Sequence, residues 1–376
     1  MAGISADLTR LVKRARDAAR ERSLEQGESG WGSPVMPPPV VTRPSGGAFR
    51  VVVVGAGVQG GVLARGAHTL QGAELVAVVD LDQERSSQVL DRLSGTSARA
   101  MSDAASAFAE TSPDLVVVAT TAPSHVALGD LALDASVPRI MLEKPIGTNY
   151  AESAALVERA RGAGAALSVN YVRRYLTDHR AVLAAVQAGQ IGQLRLMTAQ
   201  VGAGELAMQG SHFVDLFRMF SGAEVTEVCA RLRPTASPNA RGADFEDPTG
   251  VLELRASTGA RAYIDFEPDL PARDIVVTLR GDDGLIVLEE HQRVWTLRSR
   301  SGRTWTFPFA EPFAPTTFAT RSLQGALTEE RPSCSGADGL AALEVILAAH
   351  HSSRRGGMPV ALPLSSDDRD LEVRFP

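Results

Sequence analysis

The chain has 376 residues, 44% of them apolar, enough for about two or three domains with sizeable cores. A formal net charge of -6 and a pI near 5.7 leave no basic footprint for nucleic acid, and no apolar run nears the ~18 residues of a membrane span. The N-terminus carries charges where a signal peptide would be apolar, and Cys229 and Cys334 have neither a disulfide-framework nor a zinc spacing. A cytoplasmic protein without a metal site, a nucleic-acid partner or a membrane partner is therefore expected.

Residues 1–48 differ from all that follows. Ile4, Leu8, Leu11, Val12, Ala15 and Ala19 form one helical stripe, and residues 27–47 are rich in Gly, Pro and Ser, including Pro37-Pro38-Pro39. This extension and linker reads either as a mobile tail or as an arm that docks through Trp31.

Residues 49–170 alternate apolar runs with helical stretches. The runs at 51–54, 74–79, 115–119, 139–142 and 166–169, with a weaker one at 99–101, are continuous rather than two-periodic. Such alternation predicts an α/β domain, a parallel sheet covered by helices on both faces. The first run ends in Gly55-Ala56-Gly57-Val58-Gln59-Gly60, with the glycines in G-x-G-x-x-G spacing. Gly55 permits a tight turn, Gly57 lets the backbone approach a pyrophosphate, and Gly60 lets the helix pack on its strand. Val58 and Gln59 then lie at the helix start, where open N–H groups receive phosphate. The second run ends in Asp80, twenty residues after Gly60, placed to accept ribose hydroxyls. No arginine follows until Arg85, which favours NAD over NADP because a carboxylate repels a ribose phosphate.

Ligands of such sheets bind beyond the carboxyl ends of the strands. Two ends carry chemistry, Thr120 to His125 and Glu143-Lys144-Pro145. Among 38 basic residues the only lysines are Lys13 and Lys144, so the ammonium at a strand end stands out in a chain that uses arginine elsewhere. Pro145 restrains Lys144 to extended geometry, and Glu143 is positioned to pair with the ammonium or to hold cofactor hydroxyls.

From residue 171 to 376 the alternation ends. Helices are expected over 178–188, 211–220 and 338–350, and strands over 194–201, 225–233, 251–256, 261–266, 275–280, 285–289, 293–298, 303–308 and 360–364. The result is an α+β domain with a large, mostly antiparallel sheet, the candidate substrate-binding half of the chain. His212 and Asp215, three apart at the start of one helix, face the same way. His212 is the candidate general base, with an unperturbed pKa near the operating pH, and Asp215 is placed to orient it or to bind a substrate hydroxyl. Arg173 and Arg174 are candidates to grip a carboxylate or phosphate on the substrate.

Gly55 to Gly60, Asp80, Thr120 to His125, Glu143-Lys144-Pro145, Asn170 to Tyr175 and Gly210 to Asp215 occur in an order that resembles the glucose-fructose oxidoreductase and inositol dehydrogenase (Gfo/Idh/MocA) family. Asp338 to Leu343, with Ser352, Val360 and Pro363, is similar to that family's closing helix and strand, so the likeness spans roughly residues 49–364. It implies a Rossmann domain holding NAD, an open-faced sheet domain that builds homodimers or homotetramers, and hydride transfer at a hydroxyl-bearing carbon of a sugar, polyol or sugar nucleotide. It also implies that Lys144 steadies the reacting oxygen and His212 serves as acid or base. A glycosidase using tightly held NAD transiently is a further activity found in the family, and a regulatory protein binding NAD without turnover is a reading from another class.

Two positions depart from the pattern. Thr121 stands where a proline is usual, and Met208 stands four residues before His212 where many members have an aspartate. A thioether neither shares a proton nor binds a hydroxyl strongly. The carboxylate then falls to Asp215 or Glu205, or turnover is altered or absent.

Overall fold

The computed structural model describes residues 39–202, 204–235, 239, 242, 244–266 and 275–376. The helix expected near the N-terminus, the following linker up to residue 38, and Trp31 lie outside the described residues.

Six strands, β1 (Phe49–Val54), β2 (Ala73–Val79), β3 (Arg99–Met101), β4 (Leu115–Val118), β5 (Arg139–Leu142) and β6 (Ala166–Val169), form a parallel sheet in the order β3-β2-β1-β4-β5-β6. Helices α1 (Val58–Thr69), α2 (Gln83–Asp91), α3 (Ala104–Thr111), α4 (His125–Asp134) and α5 (Tyr150–Ala163) connect them. Burial on both faces explains the unbroken apolar runs. Val51, Val52 and Val53 are each fully buried, at about 1.5–3 kcal/mol of transfer free energy per side chain. The strand order reverses between β1 and β4, which opens a crevice at their carboxyl ends.

The second sheet has nine strands. β7 (Leu194–Gln200), β8 (Val225–Arg233), β9 (Thr249–Ala256), β10 (Arg261–Asp265), β11 (Val276–Gly281), β12 (Gly284–Glu289), β13 (Val294–Ser299), β14 (Thr304–Pro308) and β15 (Val360–Ala361) run in the order β14-β13-β12-β11-β7-β10-β9-β8-β15. β7 and β10 pair in parallel, and the other described pairings are antiparallel. Alternating burial along β10 shows one face turned to the core and one outward. Helices α6 (Thr177–Gln187), α7 (Ser211–Ser221), α8 (Pro315–Thr328) and α9 (Gly336–Arg354) complete this half.

Helix α8 has no counterpart in the sequence reading, and it packs on the parallel-sheet half. Ala319, Leu323, Ala326 and Leu327 share a core with β1 and α1, and a Cβ at Gly66 of α1 would lie 2.6 Å from that of Ala319. Helix α9 reaches back as well: Val169 of β6 donates its N–H to the Cys334 carbonyl just before it, at 3.1 Å. No described helix is long and apolar enough to cross a membrane.

Candidate active site

The glycine turn has the geometry its spacing predicts. Gly55 sits at φ +102°, and a Cβ there would lie 2.6 Å from the Ala119 carbonyl oxygen; a Cβ at Gly60 would lie 1.8 Å from that of Gly55. Gly57 faces open space. Asp82, Asp103 and Asn149 cap α2, α3 and α5 through their side chains, whereas α1 begins at Gly57 with no side-chain cap and no acid in its first turn. Its first N–H groups are left to an anion. Val58 at this helix start is exposed. Asp80 accepts from Ala56 N at 2.8 Å and from Asp82 N at 3.1 Å, so it fixes the turn while each oxygen retains a lone pair for a ribose hydroxyl. Arg85, the first arginine after Asp80 in the sequence, pairs with Asp82 at 3.5 Å. This open, uncapped cradle with a carboxylate beside it fits NAD.

At the neighbouring strand ends, Glu143 is a hub. Its Oε1 accepts from Asn170 Nδ2 at 2.6 Å and from Gln59 Nε2 at 3.1 Å, tying β5, β6 and α1 together at the crevice. His125 is buried, with Nδ1 2.8 Å from the Pro145 carbonyl and Nε2 3.2 Å from that of Thr120. Expected to touch cofactor, it instead staples the two strand-end loops; burial holds its pKa below the usual histidine value. The Thr120 hydroxyl accepts from Ser124 at 2.7 Å. Pro145 follows Lys144 through a cis peptide bond.

Lys144 is 8% exposed, and its Nζ donates to Met208 Sδ at 3.3 Å. Met208 lies on a single π turn, Leu206–Gly210, in which Gly210 N reaches the Glu205 carbonyl at 2.9 Å. That turn runs straight into α7, whose Phe213, Val214, Leu216, Phe217 and Phe220 are buried and which stops at Gly222 with φ +61°. His212 is thereby held in the first turn of a rigid helix, edge-on to the Tyr171 ring at 5.6 Å and 88°. Its Nδ1 is sealed from solvent without a hydrogen-bond partner. Burial first, then the positive charges of Arg173 and Lys144, push its pKa well below the ordinary histidine value, so the imidazole is neutral at pH 7. The near-neutral pKa expected from the sequence does not survive this environment.

The remaining expected site residues are engaged elsewhere. Asp215, assigned to orient His212 or bind substrate, is fully buried and grips Arg174 through two bonds of 2.7 Å each. Arg174 also donates to the Ser333 carbonyl at 2.9 Å and lies 3.3 Å from Asp338. Arg173 makes the same fork with Glu290, at 2.6 and 2.7 Å, and stacks over Phe213. These arginines join the strand-end segment to α7, α9 and the large sheet rather than facing a substrate. Planar guanidinium forks are well matched to buried carboxylates, which is why arginine fills these places.

A residue that the sequence reading passed over completes the constellation. Asp247, in the β8–β9 connection, is buried, and its two oxygens accept from Ala207 N at 2.7 Å and Met208 N at 2.9 Å.

Residues 49–171 match the model of an oxidoreductase family with an NAD-binding Rossmann fold. The inositol 2-dehydrogenase of Acidothermus cellulolyticus is 29% identical over 265 residues, covering 66% of this chain and 74% of the relative. Over residues 49–171 the chain is similar to the NAD-binding domain of the Gfo/Idh/MocA family. A D-apiose dehydrogenase of Paraburkholderia graminis is 27% identical over 323 residues, covering 76% of this chain and 83% of the relative. Among solved structures, an oxidoreductase from Agrobacterium radiobacter in complex with NAD+, L-tartaric acid and magnesium superposes with TM-score 0.72 at 22% identity, covering 83% and 98% of the two chains. In the present site the Met208 thioether meets the Lys144 amine at 3.3 Å.

Proposed function

We propose that this chain is an NAD-dependent oxidoreductase that moves a hydride between the nicotinamide cofactor and a hydroxyl-bearing or keto carbon of a sugar, polyol or sugar nucleotide. The observation that carries the reading is the convergence of Lys144 from the Rossmann sheet with Met208 and His212 from the second half of the chain, with the lysine charge acting on the imidazole. NAD, when bound, supplies the hydride acceptor or donor. The glycine turn and the first N–H groups of α1 would hold its phosphates, and Asp80 its ribose.

This chain's own residues do the rest. The substrate oxygen takes the place of the Met208 sulfur on the Lys144 amine, which stabilises negative charge as it develops. His212 exchanges the hydroxyl proton at Nε2, because Nδ1 is sealed. A neutral imidazole is ready as a base, and the adjacent lysine charge opposes its protonation until the substrate proton arrives. Glu143 holds Gln59 and Asn170 so that the cofactor side of the crevice stays fixed.

Nicotinamide absorbance with a panel of polyols, sugars, keto-sugars and sugar nucleotides tests the reading. Lys144→Met should lower turnover by about 10²–10⁴-fold, while NADH binding, read by fluorescence, stays close to that of the parent chain. Normal turnover in the variant would reject the mechanism. Met208 on the amine favours a second reading, an NAD-binding protein without turnover. The absence of any substrate-dependent change across the panel, with NADH bound, would select it, and sugar cleavage without net redox change would instead indicate a glycosidase using NAD transiently.

A further inference from the structure

The π turn before His212 has an unusual anchor. The first N–H groups of a helix have no partner within it, and Glu205 at the N-cap makes no side-chain cap bond. Three successive donors are taken up by one dipeptide about forty residues downstream: Leu206 N by the Pro248 carbonyl at 2.8 Å, Ala207 N by Asp247 Oδ1 at 2.7 Å, and Met208 N by Asp247 Oδ2 at 2.9 Å. The same turn lays the Met208 sulfur 3.3 Å from Lys144 Nζ. A buried carboxylate thus stands one residue behind the lysine's contact.

We propose that Asp247 is a positioning residue of the Lys144 site: it docks the turn that carries Met208 onto the amine and supplies, from beneath that turn, the negative charge absent at position 208. The proposal rests on the reading that Lys144 and His212 face the substrate. A cap alone would need only a neutral acceptor such as serine or asparagine. Retaining a carboxylate here is costly, since burial pushes Asp247 up to about 7 although the two N–H groups and the Lys144 cation pull it down; Glu205 adds to the upward push. Buried groups held in that range beside a specific charge partner cluster at functional sites.

Lys144 can be read directly, because Lys13 is the only other lysine in the chain. Limiting acetic anhydride is applied to the full chain across a pH series, with a free lysine peptide as reference, and acetylation of Lys144 is quantified by mass spectrometry. For the parent chain, the logarithm of the Lys144 rate should flatten near pH 7, as Asp247 ionises and makes the amine a stronger base, while the reference rises steadily. Asp247→Asn and Asp247→Ser should remove the flattening and lower the Lys144 midpoint by about one pH unit, roughly tenfold in rate at fixed pH. Adding Met208→Asp to Asp247→Asn should return the midpoint toward the parent value.

Folded variants whose Lys144 profiles overlay the parent's would overturn the proposal and leave Asp247 as a helix cap. If neither variant folds, the parent curve decides, and a line that stays straight across the whole pH series overturns the proposal. None of these readouts needs turnover. Normal turnover in Lys144→Met rejects the catalytic reading separately, and leaves the acetylation profile of the parent chain as it is.

Discussion

The Lys144 amine stands 3.3 Å from the Met208 thioether, a strong donor facing a weak, polarisable acceptor. Such a contact keeps the amine in place yet is given up readily when a substrate oxygen arrives. Met208→Leu keeps the apolar shape and leaves the backbone N–H on Asp247, so it removes the sulfur alone. Turnover should stay within roughly tenfold of the parent chain, the value of one modest hydrogen bond, with little change in melting temperature. A loss of several orders of magnitude in steady-state rate would mean that the sulfur does chemistry.

Arg174 and Asp215 belong to the framework, and their variants should behave accordingly. Arg174→Ala leaves a fully buried carboxylate facing Arg218 at 4.0 Å as its remaining cation. Removing one partner of a buried pair costs about 3–5 kcal/mol. Chemical denaturation should show that loss, and the KM of whatever variant remains folded should be close to the parent's. A raised KM with unchanged stability would return Arg174 to the substrate.

These two pairs also mark what could be read from the sequence. The glycine turn, Asp80, Lys144 and His212 are legible because each is a local pattern whose geometry follows from strand, turn and helix. Asp215 is legible as a carboxylate near His212 but not as the partner of Arg174, which lies 41 residues away, and Glu290 is 117 residues from Arg173. Asp247 has no local signature, because its role depends on the β8–β9 connection folding beneath the π turn. Helix α8 has little local signature, since its buried face uses the small residues Ala319 and Ala326 beside Leu323 and Leu327, a weak periodic signal that becomes strong only against Gly66 of α1.

The glycine turn separates binding from folding. At Gly57 φ is -70° and a Cβ meets nothing, so Gly57→Ala should leave the melting temperature unchanged or slightly raised, by about 0.4–1 kcal/mol of stability. The added methyl occupies the approach of the pyrophosphate, so NADH affinity should fall by roughly tenfold or more, equivalent to about 1.4 kcal/mol. Gly60→Ala, whose Cβ would sit 1.8 Å from the Gly55 carbonyl oxygen, should instead destabilise the fold. Fluorescence titration and thermal unfolding of both variants check the pair. Equal effects on both readouts would contradict the assignment.

Asp178 supplies a pH test of the second half of the chain. It is buried near the start of α6, accepts from Ala310 N at 2.9 and 3.2 Å, and is pushed by burial up to about 7, with Glu311 raising it and Arg321 lowering it. Its unfolded value is near 3.9. A carboxyl raised in the folded state adds stability below the unfolded pKa and loses that contribution as pH climbs through 7. Asp247 shifts in the same direction. Glu290 runs the other way: burial raises it, but Arg173 and the bonds from Arg173 and His179 outweigh that and hold it near 2, so its contribution disappears only as pH falls from about 4 toward 2. Buried neutral His212 likewise contributes above its unfolded value near 6.5 and loses that as pH falls. A whole-chain stability curve therefore mixes opposing slopes, and the difference between variant and parent isolates one group. Between pH 5.5 and pH 8.5, Asp178→Asn should gain about 2 kcal/mol on the parent, at about 1.4 kcal/mol per unit up to the folded pKa. Denaturant midpoints at the two pH values measure it. A difference that stays constant with pH would show that Asp178 is ionised in the fold throughout.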